Sequence, residues 1–147
     1  MRVEELMRKR VQTIREDGSA EQALKRMRAG GLRHLVVMRG RRVAGILSDR
    51  DLTAILVGGV RVDRTIDQVM QRDVVGISPD ATVEEAARRM RRRRIGALPV
   101  LDGDELVGIV TVADLLDLII RGPGARKSPK HRASTTTVSK RIRRRAH

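Results

Sequence analysis

Apolar positions along residues 1–121 follow two spacings, and each spacing predicts one kind of element. Spacings of three and four residues indicate helices with one apolar face, whereas alternating or continuous aliphatic runs indicate short strands. In the first half of the chain, these patterns predict a short helix at 3–8, a strand at 11–14, a helix at 19–29, strands at 34–38 and 42–47, and a helix at 48–57. Gly40 lies between the last two strands, which indicates a hairpin.

The second half of the chain predicts the same elements in the same order. They are a short helix at 66–70, a strand at 74–77, a helix that begins after Thr82, strands at 97–101 and 106–110, and a helix that begins at Thr111. The segment GILSDRDL at 45–52 returns as GIVTVADL at 108–115, and the residues before each copy align without a gap. Two copies of one supersecondary unit therefore make up most of the chain.

The repeats predict two packed units followed by a tail. We place repeat 1 at 1–60 and repeat 2 at 61–121, with Gly58 and Gly59 marking the link. The order strand, helix, strand, strand, helix in each copy predicts an α/β fold with small mixed sheets. A unit of about 60 residues buries too little surface to be stable alone, so we expect the two repeats to pack on each other.

The positive charge of the chain lies mainly at its C-terminal end. The chain carries 32 Lys and Arg against 18 Asp and Glu, a net charge of +14. Ten of the cations and none of the acids fall in 121–147, so residues 1–120 are only mildly basic. Because the segment 122–147 has almost no apolar side chains, we predict a disordered tail there. Its charge makes nucleic acid or another polyanion a candidate partner.

The composition argues against several classes of function. The chain has no Phe, Tyr or Trp, so it lacks the aromatic platform on which single-stranded nucleic acid usually stacks. It has no Cys, and its three His are scattered, which argues against a zinc enzyme. We find no P-loop, catalytic triad or metal-ligand cluster in the sequence and predict that the protein is not an enzyme. The sequence has no secretory signal and no apolar membrane span, so we expect a soluble, cytoplasmic protein.

The hydroxyl and acid of each repeated motif allow two interpretations. Ser48 and Asp51, like Thr111 and Asp114, have the spacing of a capping box at a helix N-terminus. Glu or Gln normally fills the return position of such a box, however, and both motifs carry the shorter Asp. Each motif also follows a strand end, where a helix N-terminus presents free N–H groups to an anion. A carboxylate there suits the two hydroxyls of a ribose, and a nearby hydroxyl suits a phosphate.

The doubled motif resembles a tandem pair of CBS (cystathionine β-synthase) domains, a Bateman module of the stand-alone type, over about residues 3–120. The segments RHLVV at 33–37 and GALPV at 96–100 support this resemblance. It implies two repeats related by a pseudo-twofold axis, with clefts for an adenine nucleotide between them, and a homodimer. The regulatory ligands that it implies are AMP, ADP, ATP or S-adenosylmethionine.

The resemblance also implies roles for individual residues. Ser48 and Asp51 match the phosphate and ribose positions of repeat 1, and Thr111 and Asp114 match those of repeat 2. The residues that match the enclosure of the base are Ile14, Arg15 and Ala20 in repeat 1 and Ile77, Ser78 and Val83 in repeat 2.

The two repeats differ in the cations that they carry at the positions expected near the phosphates of a bound nucleotide. Arg33, His34 and Arg50 occupy such positions in repeat 1, whereas the equivalent positions in repeat 2 hold Gly96, Ala97 and Ala113. We therefore predict that the Asp51 site prefers phosphorylated nucleotides and that the Asp114 site binds more weakly. The alternatives are a half-buried structural histidine and two arginines that only face solvent.

Three hypotheses for the function remain open at this point. The first is a regulatory protein that binds an adenosyl ligand and signals through domain or dimer geometry. The second is a nucleic-acid-associated protein that binds through its basic tail and uses the CBS pair as a dimerisation scaffold, and the third is a structural dimeriser with empty clefts. For the dimer, we expect an apolar surface around Leu52, Ile55, Leu115 and Leu118, with a smaller contribution from hairpin tips of opposite charge at 39–42 and 102–105.

Overall fold

The computed structural model describes residues 1–57 and 63–123. The predicted link at Gly58 and Gly59 and most of the predicted tail lie outside the described residues. Within the described residues, the elements in chain order are α1 (Val3–Leu6), β1 (Thr13–Arg15), α2 (Ala20–Gly30), β2 (His34–Arg39), β3 (Arg42–Ser48), α3 (Asp49–Val57), α4 (Ile66–Val69), α5 (Val83–Arg93), β4 (Ala97–Asp102), β5 (Glu105–Thr111) and α6 (Val112–Arg121).

Each repeat is built on a β-hairpin that lies between two helices. Strand β2 pairs antiparallel with β3, and β4 pairs antiparallel with β5. In repeat 1, β1 adds a parallel strand beside β2. This combination of small sheets and helices confirms the α/β class that the sequence predicts.

The predicted strand at 74–77 is wrong, because this segment forms only one parallel bridge, at Ile77. In repeat 1, the backbone N–H of Val36 donates to the carbonyl of Gln12 at 3.1 Å, which supports the β1–β2 pairing. Repeat 2 has Pro99 at the position of Val36, and proline has no backbone N–H to donate. The equivalent bond cannot form, and the ladder of repeat 2 is shortened to a bridge.

The longer helices that follow the first strand position of each repeat begin where the sequence predicts. The Ser19 hydroxyl accepts a hydrogen bond from the Gln22 N–H at 3.1 Å at the start of α2. The Thr82 hydroxyl accepts one from the Glu85 N–H, also at 3.1 Å, at the start of α5. Each cap gives a partner to an N–H group that the helix itself cannot satisfy.

The two short helices exchange places between the repeats. Helix α1 precedes repeat 1 in sequence but packs against α5 and β5 of repeat 2, and α4 precedes repeat 2 but packs against α2 of repeat 1. Val3 is fully buried in the core of repeat 2, and Ile66 is fully buried in the core of repeat 1. Each core is therefore completed by a segment that the sequence order places in the other repeat.

Two glycines allow the exchanged segments to lie directly on the hairpins. A Cβ atom at Gly45 would lie 2.5 Å from Met70 Sδ, and one at Gly108 would lie 2.5 Å from Met7 Sδ. The backbone is also close, with the Gln71 carbonyl oxygen 2.8 Å from the Cβ position at Gly45 and the Arg8 carbonyl oxygen 3.1 Å from the Cβ position at Gly108. A larger residue at either position would therefore push the exchanged segment away from the hairpin.

The apolar surface predicted for the dimer is partly used inside the chain. Leu52 is buried, and Ile55 and Leu115 pack against the cores of their own repeats. The large apolar side chains that remain exposed on α6 are Val112, Leu116, Ile119 and Ile120. The hairpin tips also meet within one chain, where Arg42 Nη2 lies 3.9 Å from Asp104 Oδ2.

No helix within residues 1–57 and 63–123 combines the length and the hydropathy needed to cross a membrane. The same residues contain no group of three or more His, Asp and Glu side chains arranged to hold a metal ion.

Candidate functional site

A cleft of about 860 Å³ lies between the two repeats. The N-terminal half of α3 and the start of β2 form one wall, and the segment 94–97 of repeat 2 forms the other. Of the described residues, those that line it are Arg33, His34, Ile46, Ser48, Asp49, Arg50, Asp51, Thr53, Ala54, Val57, Gln71, Arg94, Ile95, Gly96 and Ala97.

The first turn of α3 presents its polar groups to this cleft. The Ser48 hydroxyl accepts a hydrogen bond from the Asp51 N–H at 3.0 Å, and Asp49 Oδ1 accepts one from the Arg50 N–H at 2.8 Å. The Asp51 carboxylate itself has no hydrogen-bond partner within residues 1–57 and 63–123. Only one half of the capping box is formed, so a free carboxylate lies in the cleft wall beside a helix N-terminus.

The equivalent motif of repeat 2 forms a complete capping box. The Asp114 N–H donates to the Thr111 hydroxyl at 3.3 Å, and Asp114 Oδ2 accepts from the Thr111 N–H at 2.9 Å. Asp114 Oδ1 accepts a hydrogen bond from Arg8 Nε at 3.1 Å, and the Asp114 side chain is fully buried. Aspartate is thus long enough to close the box, contrary to the sequence argument that its length disfavours capping.

Three guanidinium groups make the cleft cationic. Arg33 and Arg50 come from repeat 1, and Arg94 reaches the cleft from repeat 2. None of the three forms an ion pair within the described part of the chain. They outnumber the two carboxylates of the cleft wall, Asp49 and Asp51, so the cleft attracts anions.

Arg94 has a backbone conformation that favours glycine. It follows the last residue of α5 with φ 53° and ψ 44°, in the left-handed region. The equivalent residue after α2 is Gly31, with φ 61°. Arginine in this conformation costs about 1 kcal/mol or more relative to glycine. Such strain is often found at functional sites, and here it accompanies a side chain in the cleft wall.

His34 lies in the cleft beside the segment that follows α5. Its Nε2 atom would be 3.4 Å from a Cβ atom at Gly96, an ordinary van der Waals distance, so the imidazole ring lies directly against this segment. Burial lowers the pKa of His34 below its ordinary value of 6.5, and the neighbouring Arg33 acts in the same direction. Asp49 and Asp51 oppose this shift in pKa. The lowered pKa favours the neutral imidazole at neutral pH.

The structure brings seven of the predicted site residues together in this cleft: Arg33, His34, Ser48, Arg50, Asp51, Gly96 and Ala97. The other predicted residues lie outside its wall. Ile14 packs on the core of repeat 1, and Ala20, Ile77 and Val83 are buried.

The remaining two predicted base-enclosing residues make local contacts outside the cleft. Arg15 Nη2 lies 3.0 Å from Asp17 Oδ2, and the Ser78 hydroxyl accepts a hydrogen bond from the Asp80 N–H at 3.2 Å. In each case the contact partner lies two positions further along the chain. Both contacts are therefore local to the chain.

Sequence reasoning missed eight residues of the cleft wall: Ile46, Asp49, Thr53, Ala54, Val57, Gln71, Arg94 and Ile95. A comparison of the two repeats contains an indication of two of them. Gln71 aligns with Arg8, and the neighbours on either side are alike in the two repeats (Met7 with Met70, Lys9 with Arg72). Arg94 aligns with Gly31, a position where the pattern of helix ends favours glycine. The exchange of the short helices, which carries Gln71 to repeat 1, cannot be read from the alignment.

Comparison with known proteins places the chain in a family. The family model for the CBS domain matches residues 3–58 and 66–121. The chain belongs to the CBS domain family. The resemblance inferred from the repeated motif is thereby confirmed, and the two matches correspond to the two repeats of the structure.

Relatives include both short CBS proteins and larger enzymes. The chain is 35% identical over 132 residues to a CBS domain-containing protein of Dictyostelium discoideum, with 81% of this chain and 91% of that protein covered. It is 32% identical over 123 residues to a homoserine O-acetyltransferase of Methanosphaerula palustris, with 82% of this chain covered. The chain spans only 24% of the length of that enzyme.

Solved structures give the same family assignment. A CBS domain pair in complex with 5′-methylthioadenosine and S-adenosyl-L-methionine superimposes with a TM-score of 0.76 and 26% identity, and the match covers 82% of this chain and 97% of that chain. A hexameric CBS-CP12 protein from bloom-forming cyanobacteria matches with a TM-score of 0.73 and 28% identity, over 81% of this chain and 70% of that chain.

Proposed function

We propose that this protein is a regulatory CBS pair that binds an adenosyl ligand in the cleft between its repeats. The observation that carries the proposal is the Asp51 carboxylate, which lies in the cleft wall without a hydrogen-bond partner in the described part of the chain. A half-buried carboxylate without a partner is costly unless a ligand or water satisfies it. The two hydroxyls of a ribose are suitable donors to its two oxygens.

Other cleft residues suit the phosphates and the base of a nucleotide. In this proposal, Arg33, Arg50 and Arg94 of the cleft wall donate charge-assisted hydrogen bonds to phosphate oxygens, and the first turn of α3 adds backbone N–H groups. Ile46 and Ile95 provide apolar surface for a base. The chain contains no aromatic residue, so the base would pack on aliphatic side chains.

The charge of the cleft favours a phosphorylated ligand, such as AMP, ADP or ATP, over a neutral nucleoside. The similar CBS pair that binds 5′-methylthioadenosine and S-adenosylmethionine supports the adenosyl part of this proposal. A hydrogen bond to a charged group contributes about 1.5–3 kcal/mol, so one productive phosphate contact separates these ligands by about tenfold or more.

The position of the cleft supports the regulatory part of the proposal. A ligand there would touch α3 of repeat 1 and the segment 94–97 of repeat 2 at once. Binding would therefore favour one arrangement of the repeats over others, and a partner or a second copy of the chain could respond to it. The enzymes among the relatives match this chain over only a quarter of their length, which is consistent with CBS pairs attached to separate catalytic regions.

A thermal-shift panel tests this function. AMP, ATP, S-adenosylmethionine and 5′-methylthioadenosine are each added to the parent, to Asp51→Ala and to Asp102→Ala, an exposed control outside the cleft. A ligand at a hundred times its dissociation constant stabilises the folded state by about 2.7 kcal/mol. We expect a shift for the parent and for Asp102→Ala and a much smaller one for Asp51→Ala. The proposal is wrong if no adenosyl compound stabilises the parent at millimolar concentration.

A second candidate function concerns the basic C-terminal segment. Ten cations without one acid in 121–147 favour a polyanionic partner, bound with an affinity that falls steeply as salt rises. Deleting 122–147 should abolish retention of DNA and RNA at low salt. Unchanged retention after the deletion would remove this candidate.

A further inference from the structure

The two repeats hold equivalent backbone segments beside their α3 and α6 helices. Arg8 exchanges two backbone hydrogen bonds with Ile109, at 2.9 and 3.0 Å. Gln71 exchanges two with Ile46, at 3.1 and 3.0 Å. Arg8 aligns with Gln71 in the two repeats, and Ile109 aligns with Ile46. Arg8 is therefore placed relative to Asp114 as Gln71 is placed relative to Asp51.

The side chains at these two positions give the two aspartates different surroundings. The Arg8 guanidinium donates to Asp114 Oδ1 at 3.1 Å, while the Thr111 N–H occupies Oδ2, and no surface of Asp114 remains exposed. Gln71 is a neutral side chain in the wall of the 860 Å³ cleft, and the Asp51 carboxylate has no partner within the described residues.

We propose that Arg8 closes the second ribose site by occupying Asp114, and that Gln71 leaves the first one open. This inference rests on the proposed function, because it assigns ribose binding to the Asp51 cleft. The chain then binds one nucleoside, although each of its two repeats carries the motif of a ribose site. The residue that determines this stoichiometry belongs to the N-terminal segment and not to the repeated motif.

The choice between arginine and glutamine has a direct physical effect. A guanidinium beside a carboxylate forms a charge-assisted hydrogen bond, and a ribose hydroxyl would have to displace it and leave the cation unpaired. A glutamine amide offers only neutral hydrogen bonds and can move aside at little cost. Gln71 is also exposed, so its replacement by arginine does not disturb a core.

The test uses reciprocal substitutions and calorimetry on the full chain. The probe is 5′-methylthioadenosine, because a ligand without phosphate gains nothing from an added cation. The variants are Arg8→Gln, Gln71→Arg and Arg8→Gln in the Asp51→Ala background, and circular dichroism checks that each is folded. We expect one binding event per chain for the parent, two for Arg8→Gln, and an affinity lower by at least about tenfold for Gln71→Arg. The Asp51→Ala/Arg8→Gln variant should bind at the second site alone.

The outcomes separate this inference from the proposed function. If the parent binds no adenosyl compound, the proposed function fails. The role assigned to Arg8 is wrong if the parent and a folded Arg8→Gln variant both bind one molecule of ligand per chain. It is also wrong if Gln71→Arg binds the ligand as tightly as the parent. If Arg8→Gln does not fold, the Gln71→Arg measurement decides alone, because it tests whether an arginine at this position closes an open site.

Discussion

At the scale of single residues, Arg94 combines a strained backbone with a side chain in the cleft. Replacing Arg94 with Gly removes the left-handed strain, so we expect the free energy of unfolding to rise by up to about 1 kcal/mol. The same change removes a cation from the cleft and should weaken AMP binding by about tenfold. Calorimetry and chemical denaturation measure the two effects.

The control for this prediction is Arg93→Gly, one residue earlier in the last turn of α5. It removes an exposed arginine from a helical position outside the cleft wall, so it should lower stability by about 1 kcal/mol and leave AMP binding unchanged. If Arg94→Gly raises stability without any loss of affinity, the arginine has no role in ligand binding.

His34 predicts a pH dependence. Its folded-state pKa is below 6.5 because of burial, so the unfolded chain binds more protons between the two pKa values. The His34 contribution to stability is therefore present above pH 6.5 and is lost as the pH falls through this window. A bound phosphate offsets the positive charge of Arg33 and favours the imidazolium form of His34. The AMP affinity of the parent should therefore rise relative to that of His34→Gln as the pH falls towards 6.

Calorimetry in buffers of different ionisation enthalpy measures the proton uptake on AMP binding. The AMP phosphate has a second pKa of about 6, so it adds the same proton exchange to both proteins. We therefore expect greater uptake near pH 6.5 for the parent than for His34→Gln. Equal uptake by the two proteins would show that another group titrates.

At the scale of elements, the Thr111 motif caps α6, whereas the Ser48 motif caps α3 and also borders the cleft. Thr111→Ala removes a hydroxyl from a closed box in repeat 2 and should cost about 1–2 kcal/mol of stability without affecting AMP binding. Ser48→Ala removes the cap of α3, which borders the cleft, and should lower both stability and affinity. Denaturation and calorimetry on the pair provide the comparison, and equal loss of AMP affinity in both variants would contradict it.

Most of the elements could be predicted from the sequence, because helix caps and aliphatic periodicity are local. Ser19, Thr82 and the two hairpins fall where their patterns indicate. The failure at 74–77 has a non-local cause, since the bond is lost at Pro99, on the neighbouring strand. About half of the residues in the cleft wall could also be predicted from the sequence. Gln71 and Arg94 could not, because they reach the cleft through packing between the repeats.

At the scale of the whole molecule, α6 presents apolar side chains without a described partner in the chain. Leu116 is 53% exposed, Ile119 77% and Ile120 79%. A patch of this kind marks a protein interaction site, and we expect it to join two copies of the chain.

Sedimentation velocity of Leu116→Glu/Ile119→Glu tests this assembly. The parent should sediment as a dimer at micromolar concentration and the variant as a monomer. Arg91→Glu on α5, which also adds a negative charge, should not change the parent's state. A monomeric parent would contradict the prediction.

The central claim is that the Asp51 carboxylate holds the ribose of a nucleotide between the repeats. The most direct measurement is a crystal structure of the full chain with saturating AMP. It should show the ribose hydroxyls within about 3 Å of the Asp51 carboxylate oxygens, with the phosphate directed at Arg33, Arg50 and Arg94. AMP bound with its ribose away from Asp51, or a cleft that stays empty at saturation, would contradict the account.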